Sequence, residues 1–73
     1  MKTFKRFVID KYRKEDSPEG DFARDMEFDK NFPKFVKDGY EIKWYLQYTM
    51  NACDEAIEIF EDLWREYKHE ISQ

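Results

Sequence analysis

The chain is poor in the residues that interrupt or staple a fold. Its 73 residues include two glycines, two prolines, one cysteine and one histidine. A single cysteine, Cys53, closes no internal disulfide, which sets the chain apart from small secreted domains held by several bridges and makes a reducing cytoplasm the expected compartment. The first ten residues, MKTFKRFVID, are basic but lack a continuous apolar run and a small-residue cleavage site, so no export signal is read there. No apolar run approaches the roughly 20 residues that span a bilayer, and no membrane insertion is expected. With so few glycines and prolines there is no linker, repeat or low-complexity tract, and the length holds one domain, residues 1–73. A dinucleotide fold or a barrel enzyme does not fit.

The groups that chemistry needs are equally scarce. A general base needs a pocket and a partner. His69, the lone histidine, falls on a polar helix face near the C-terminus and reads as a solvated surface residue. Cys53 has no cation or histidine near it in sequence to activate the thiol and falls on an apolar face, so it is expected in the core. There is no glycine-rich phosphate loop and no Ser-His-Asp order. Acid clusters at Glu15-Asp16, Asp25-Glu27-Asp29 and Glu58-Glu61-Asp62 lack the spacing of a calcium loop. The expectation is a protein without enzymatic activity, cofactor, metal or small-molecule substrate.

Charge and aromatic rings are abundant. Charged residues make up 41% of the chain and aromatics 19%, too many rings for a disordered tail. Residues 1–14 carry six cations (Lys2, Lys5, Arg6, Lys11, Arg13, Lys14) against one acid, Asp10, a net of +5, whereas residues 15–73 carry seven cations against 16 acids, a net of −9. A folded chain with this split is an electrostatic dipole.

The apolar pattern predicts four helices. The first runs from about Phe4 to Arg13, capped by Thr3, with Phe4, Phe7, Val8 and Tyr12 on one face. The second starts at Ser17 as N-cap and Pro18 as first helical residue, buries Phe22, Ala23 and Met26, and ends at Phe32-Pro33, because the residue before proline is forced out of the α region. A connector, 32–38, leads to a capping box of Asp38 and Glu41, after which Ile42, Tyr45, Leu46 and Thr49 face inward, with Trp44 and Tyr48 beside that face. The last helix is long and amphipathic. Cys53, Ala56, Ile57, Phe60, Leu63, Trp64, Tyr67 and Ile71 line one side and Asp54, Glu55, Glu58, Glu61, Asp62 and Glu66 the other, with Asn51 as N-cap. The pattern from residue 42 to residue 60 hardly slips, so helices three and four form either one rod or two helices broken near residues 49–52. The break is favoured, because a single rod leaves little chain to pack against it.

Several segments carry a resemblance. GDFARDMEFDKNFPK (20–34), DGYEI (38–42), Tyr45-Leu46, Asp54-Glu55-Ala56 and the Phe4-x-x-Phe7 start resemble the YozE-like family of small bacterial proteins. The resemblance covers nearly the whole chain, and its specific part is F-P-K ahead of an acidic N-cap with E-I and Y-L following. It implies an all-α, compact four-helix bundle similar to a sterile alpha motif and implies no activity, protein or DNA binding resting on fold analogy alone. The chain departs from the family pattern in a shorter connection between Tyr45-Leu46 and Asp54-Glu55-Ala56, and in Cys53 and Ile57 where aromatics are expected.

Three functions compete on these observations. The first is a protein-interaction module that binds another protein or itself, the basic first helix meeting the acidic last helix of a neighbour. The second is a nucleic-acid-binding accessory protein using residues 1–14, although Asp10 interrupts that patch and the acidic remainder repels phosphate. The third is an acidic inhibitor occupying the basic site of a nucleic-acid enzyme. Fourteen aromatics are more than a core this small hides, and Phe28, Phe35, Trp44 and Tyr48 lie off the main apolar stripes. With the cations Lys5, Arg6, Arg13 and Lys14 they make the candidate interaction surface.

Overall fold

A computed structural model describes residues 2–36 and 38–72, so Lys37 of the connector lies outside the described residues. It contains α1 (Phe4–Tyr12), α2 (Pro18–Phe28), α3 (Gly39–Tyr48) and α4 (Asp54–Ile71), and no strand among the described residues. The first three helices start where local chemistry predicts. The Thr3 hydroxyl accepts from the Arg6 amide at 3.2 Å, the Ser17 hydroxyl from the Gly20 amide at 3.1 Å, and the Asp38 carboxylate from the Tyr40 amide at 3.0 Å. Each satisfies a donor that the helix itself leaves open. Ser17→Ala and Asp38→Ala are each expected to cost about 1 kcal/mol, read as a lowered urea midpoint. An unchanged midpoint in either variant would place that helix start elsewhere.

α2 stops at Phe28, four residues before the expected Phe32-Pro33 boundary. Asp29 explains the difference. Its carboxylate accepts from the Asn31 amide at 3.0 Å and its carbonyl from the Phe32 amide at 3.2 Å, so a local turn outcompetes another helical turn. The turn swings Phe32 back into the core, where its ring meets Tyr45 edge-on at 5.7 Å. The Tyr45 hydroxyl donates to Asp29 at 2.6 Å, and this bond, with burial, pushes the phenol up to about 12.

α3 and α4 are separate helices. Asn51 takes a left-handed backbone with φ of 53°, a conformation asparagine tolerates better than most residues, and the Ala52 amide folds back onto the Leu46 carbonyl at 2.8 Å. Asn51 is therefore the residue that turns the chain, and Cys53 is the N-cap of α4, making no side-chain cap bond. Cys53 is exposed, contrary to the expected core position. An N-cap residue is extended, so the helical period of α4 does not reach back to it, and Ala52 packs on the core instead. Thr49, expected inside, and Ile71, at the far end of α4, are exposed for the same reason that helix ends outrun the core.

The core forms where α1 crosses α4 and α2. Phe4 sits at its centre, with the rings of Trp64 at 5.3 Å, Phe60 at 5.5 Å and Tyr67 at 5.7 Å. Ile9, absent from the predicted face, widens the buried stripe of α1. Polar ties close the same seam. The Tyr67 hydroxyl donates to the Lys2 carbonyl at 2.6 Å, and the Tyr12 hydroxyl donates to the Glu66 carboxylate at 2.9 Å beside the Lys11 ammonium. Burial and the bond to Glu66 push the Tyr12 phenol up to about 12. Burial alone would raise Glu66, but the bonds from Lys11 and Tyr12 outweigh it and hold the carboxyl below its usual value.

Candidate interaction surface

Basic charge on α1 is largely answered inside the molecule. Asp10 takes Lys2 at 2.9 Å and Arg6 at 3.6 Å, Lys11 pairs with Glu66 across to α4, and Arg13 reaches Glu27 of α2 at 3.2 Å. Arg13 lies three residues after Asp10, but its side chain turns to α2. The hydrogen bond from Lys2, foremost, holds the Asp10 carboxyl below its ordinary value. Of the six cations in residues 1–14, Lys5 and Lys14 make no ion pair among the described residues.

Lys5 stands in a particular setting. Its ammonium donates to the Asp29 carbonyl at 3.1 Å, and its pKa is lowered first by burial and then by the nearby Lys34 ammonium. Lys34 too makes no ion pair among the described residues. Phe35 projects beside them and is 89% exposed. It lines a cleft of about 300 Å³ with Lys5, Arg6 and Lys34, and a second of about 390 Å³ with Lys2, Val36 and Tyr67. The ring is thus a fin between two clefts, one of them lined by the cations Lys5, Arg6 and Lys34 together with the Glu27 carboxylate.

A second feature lies on α3. Tyr40, Trp44 and Tyr48 are four residues apart, hence on one face, and are 80%, 61% and 67% exposed. Trp44 and Tyr48 touch, with centroids 5.4 Å apart and ring planes tilted by 46°. The outcome is an aromatic ridge along the solvent side of the helix whose opposite face buries Ile42 and Leu46. Sequence reasoning missed Tyr40, although its place four residues before Trp44 carried the signal.

The eight candidate residues therefore do not make one surface. Lys5, Arg6 and Phe35 meet at the fin, and Trp44 and Tyr48 meet on the ridge. Phe28 is exposed at the end of α2 and lines none of these clefts, while Arg13 and Lys14 lie at the end of α1. Among the described residues no three His, Cys, Asp or Glu side chains are grouped as metal ligands, and no helix is long and apolar enough to cross a membrane.

Four helices around an aromatic core, with rings left outside in two places, define an all-α domain of sterile-alpha-motif-like architecture. The pattern of the family described as YozE SAM-like fold matches residues 3–69, and the chain belongs to that family. No curated protein and no solved structure matches the chain.

Proposed function

We propose that this domain is a non-catalytic protein-interaction module of the cytoplasm that docks a partner through α3. The observation that carries the reading is the ridge of Tyr40, Trp44 and Tyr48. Aromatic side chains bring large contact area at little rotamer cost and dominate the well-packed centres of protein interfaces. A helix showing rings at i, i+4 and i+8 fits a partner with an apolar groove. The single cysteine favours the reducing compartment.

A nucleic-acid reading draws on residues 1–14, and it is weakened by the acids that already occupy Lys2, Arg6, Lys11 and Arg13. An electrostatic footprint needs cations free to displace counterions.

The test starts from capture of a partner out of native extract by the parent, followed by titration of that purified partner. Trp64→Phe leaves Trp44 as the reporter, and its emission is expected to shift to the blue as the partner covers it. Combining Tyr40→Ala, Trp44→Ala and Tyr48→Ala is expected to weaken binding by roughly 100-fold or more, since a single central hot-spot aromatic costs about 2 kcal/mol or more and the three are not additive, with the melting temperature nearly unchanged. Full binding by the triple variant would sink the reading.

A further inference from the structure

Sulfur is scarce in this chain, and the fold gathers it in one place. The sequence holds three methionines and one cysteine. Met1 lies outside the described residues, and the other three, Met26, Met50 and Cys53, all line one open cleft where α2, the end of α3 and the start of α4 come together. The turn before α4 joins two of them. Asn51 turns the chain between Met50 and Cys53, and the amides of Met50 and Ala52 fold back onto the carbonyls of Tyr45 at 3.1 Å and Leu46 at 2.8 Å. The result is a Met-x-x-Cys turn, with the two-residue spacing by which a single turn supplies two ligands to one metal. Met50 and Cys53 are exposed, whereas Met26 reaches the cleft from the buried side of α2. Cys53 makes no side-chain bond to the helix it caps, so its sulfur is not spent there. Asp25 also lines the wall, and the remaining lining side chains are hydrocarbon.

We propose that these three sulfurs form a site for a soft monovalent metal ion, Cu(I), held by the Cys53 thiolate and the Met26 and Met50 thioethers. Ligand type selects the ion. Thiolate and thioether sulfur suit Cu(I), whereas calcium and magnesium want oxygen. Zinc takes thiolate, imidazole or carboxylate, four ligands in a structural site, and of these the cleft lining offers Cys53 and Asp25. Charge agrees. Binding exchanges the thiol proton, released to solvent, for the metal cation, with no change of oxidation state. One thiolate, two neutral thioethers and Cu(I) make a complex without net charge. A hydrocarbon wall accepts that at far lower cost than the cationic complex a divalent ion would leave. Space agrees as well. The cleft holds about 260 Å³, against the ~30 Å³ a water takes in the liquid, so a single ion enters without parting the helices. Methionine turns about three side-chain bonds, which lets both thioethers follow the ion. Tyr40, Trp44 and Tyr48 lie outside this lining, so the site is independent of the docking ridge.

Anaerobic titration against Cu(I) bound to bicinchoninate, a coloured chelator, tests the site. The parent is expected to withdraw one ion per chain, to remain a single chain in sedimentation, and to bind less tightly as pH falls, because protons compete for the thiolate. X-ray absorption at the copper edge is expected to show sulfur neighbours alone. Cys53→Ser is expected to abolish the withdrawal without lowering the melting temperature, since the residue is exposed and serine is a good N-cap. Met26→Leu and Met50→Leu nearly conserve side-chain volume and keep the fold. Each is expected to weaken binding by at least the roughly tenfold that losing a supporting partner of a metal ligand costs. Unchanged affinity in either methionine variant would mean that the thiol acts alone and would overturn the proposal. A parent that leaves the ion on the chelator, a species of two chains sharing one ion, nitrogen or oxygen neighbours at the copper, or zinc bound more tightly than Cu(I) would each overturn it as well.

Discussion

Replacing Phe60 with alanine is expected to remove about 3–5 kcal/mol, the usual loss for a buried phenylalanine. Phe60 is 2% exposed and meets Phe4 edge-on at 5.5 Å and Trp64 at 6.0 Å. Its ring lies where α1 and α4 cross, between side chains on both helices, so little can collapse into the space it leaves. At roughly 0.05–0.15 kcal/mol per residue, the stability of a domain this size is only several kcal/mol, and the variant loses most of it. One kcal/mol moves the midpoint by about 4–8 °C at this length, so the melting temperature is expected to fall by more than about 12 °C. A midpoint within a few degrees of the parent would remove Phe60 from the core.

Gly20→Ala is the second large effect, and its sign opposes intuition. Gly20 lies in the first turn of α2, where helix propensity alone favours alanine by about 1 kcal/mol. A Cβ at Gly20 would stand 1.9 Å from the Glu15 carbonyl oxygen, 2.8 Å from the Glu15 carbonyl carbon and 3.1 Å from the Tyr12 carbonyl oxygen. These are backbone atoms and cannot swing aside. They are also committed, since the Glu15 amide donates to the Tyr12 carbonyl at 2.9 Å and the Arg24 guanidinium donates to the carbonyls of Arg13 at 2.9 Å and Glu15 at 3.0 Å. Making room means prising α2 from the end of α1. The expected cost is about 3 kcal/mol, at the upper end of ordinary overpacking. The check is the chemical-denaturation midpoint, and a value equal to or above the parent's would mean that propensity wins and the clash is relieved without loss.

Gly20 also marks where sequence reading stops. Thr3, Ser17 and Asp38 were legible as caps because a cap is made by atoms within three residues of one another. The apolar faces of α1, α2 and α4 were legible because a helix repeats its own period. What was hidden depended on competition or on distance in the chain. The sequence around Asp29 offers either another helical turn or a tight turn closed by the carboxylate, and the packing of Phe32 on Tyr45 is part of what the second choice gains. Asn51, expected as the N-cap of α4, turns the chain instead, and Cys53, expected in the core, takes the N-cap, because whether a residue caps a helix or turns the chain before it depends on where the helix docks. For the candidate surface, exposure of Phe28, Phe35, Trp44 and Tyr48 followed from their places off the stripes. Their division into a fin and a ridge did not, since it rests on how the connector crosses α1. The ion pairs of Arg13 with Glu27 and Lys11 with Glu66 were hidden for the same reason, joining helices whose relative placement no local pattern encodes.

The seam between α1 and α4 has a consequence for how the protein is made. Phe4 finds its partners in Phe60, Trp64 and Tyr67, and the hydroxyl of Tyr67 closes on the carbonyl of Lys2. α1 is therefore completed by α4, the helix farthest from it along these residues. While α1, α2 and α3 are already outside, Phe4 and Phe7 have no lid, and the loop that must close to cover them spans most of the chain. A nascent chain thus carries an uncovered apolar face until α4 has emerged from the ribosome, and the domain closes as a unit rather than helix by helix.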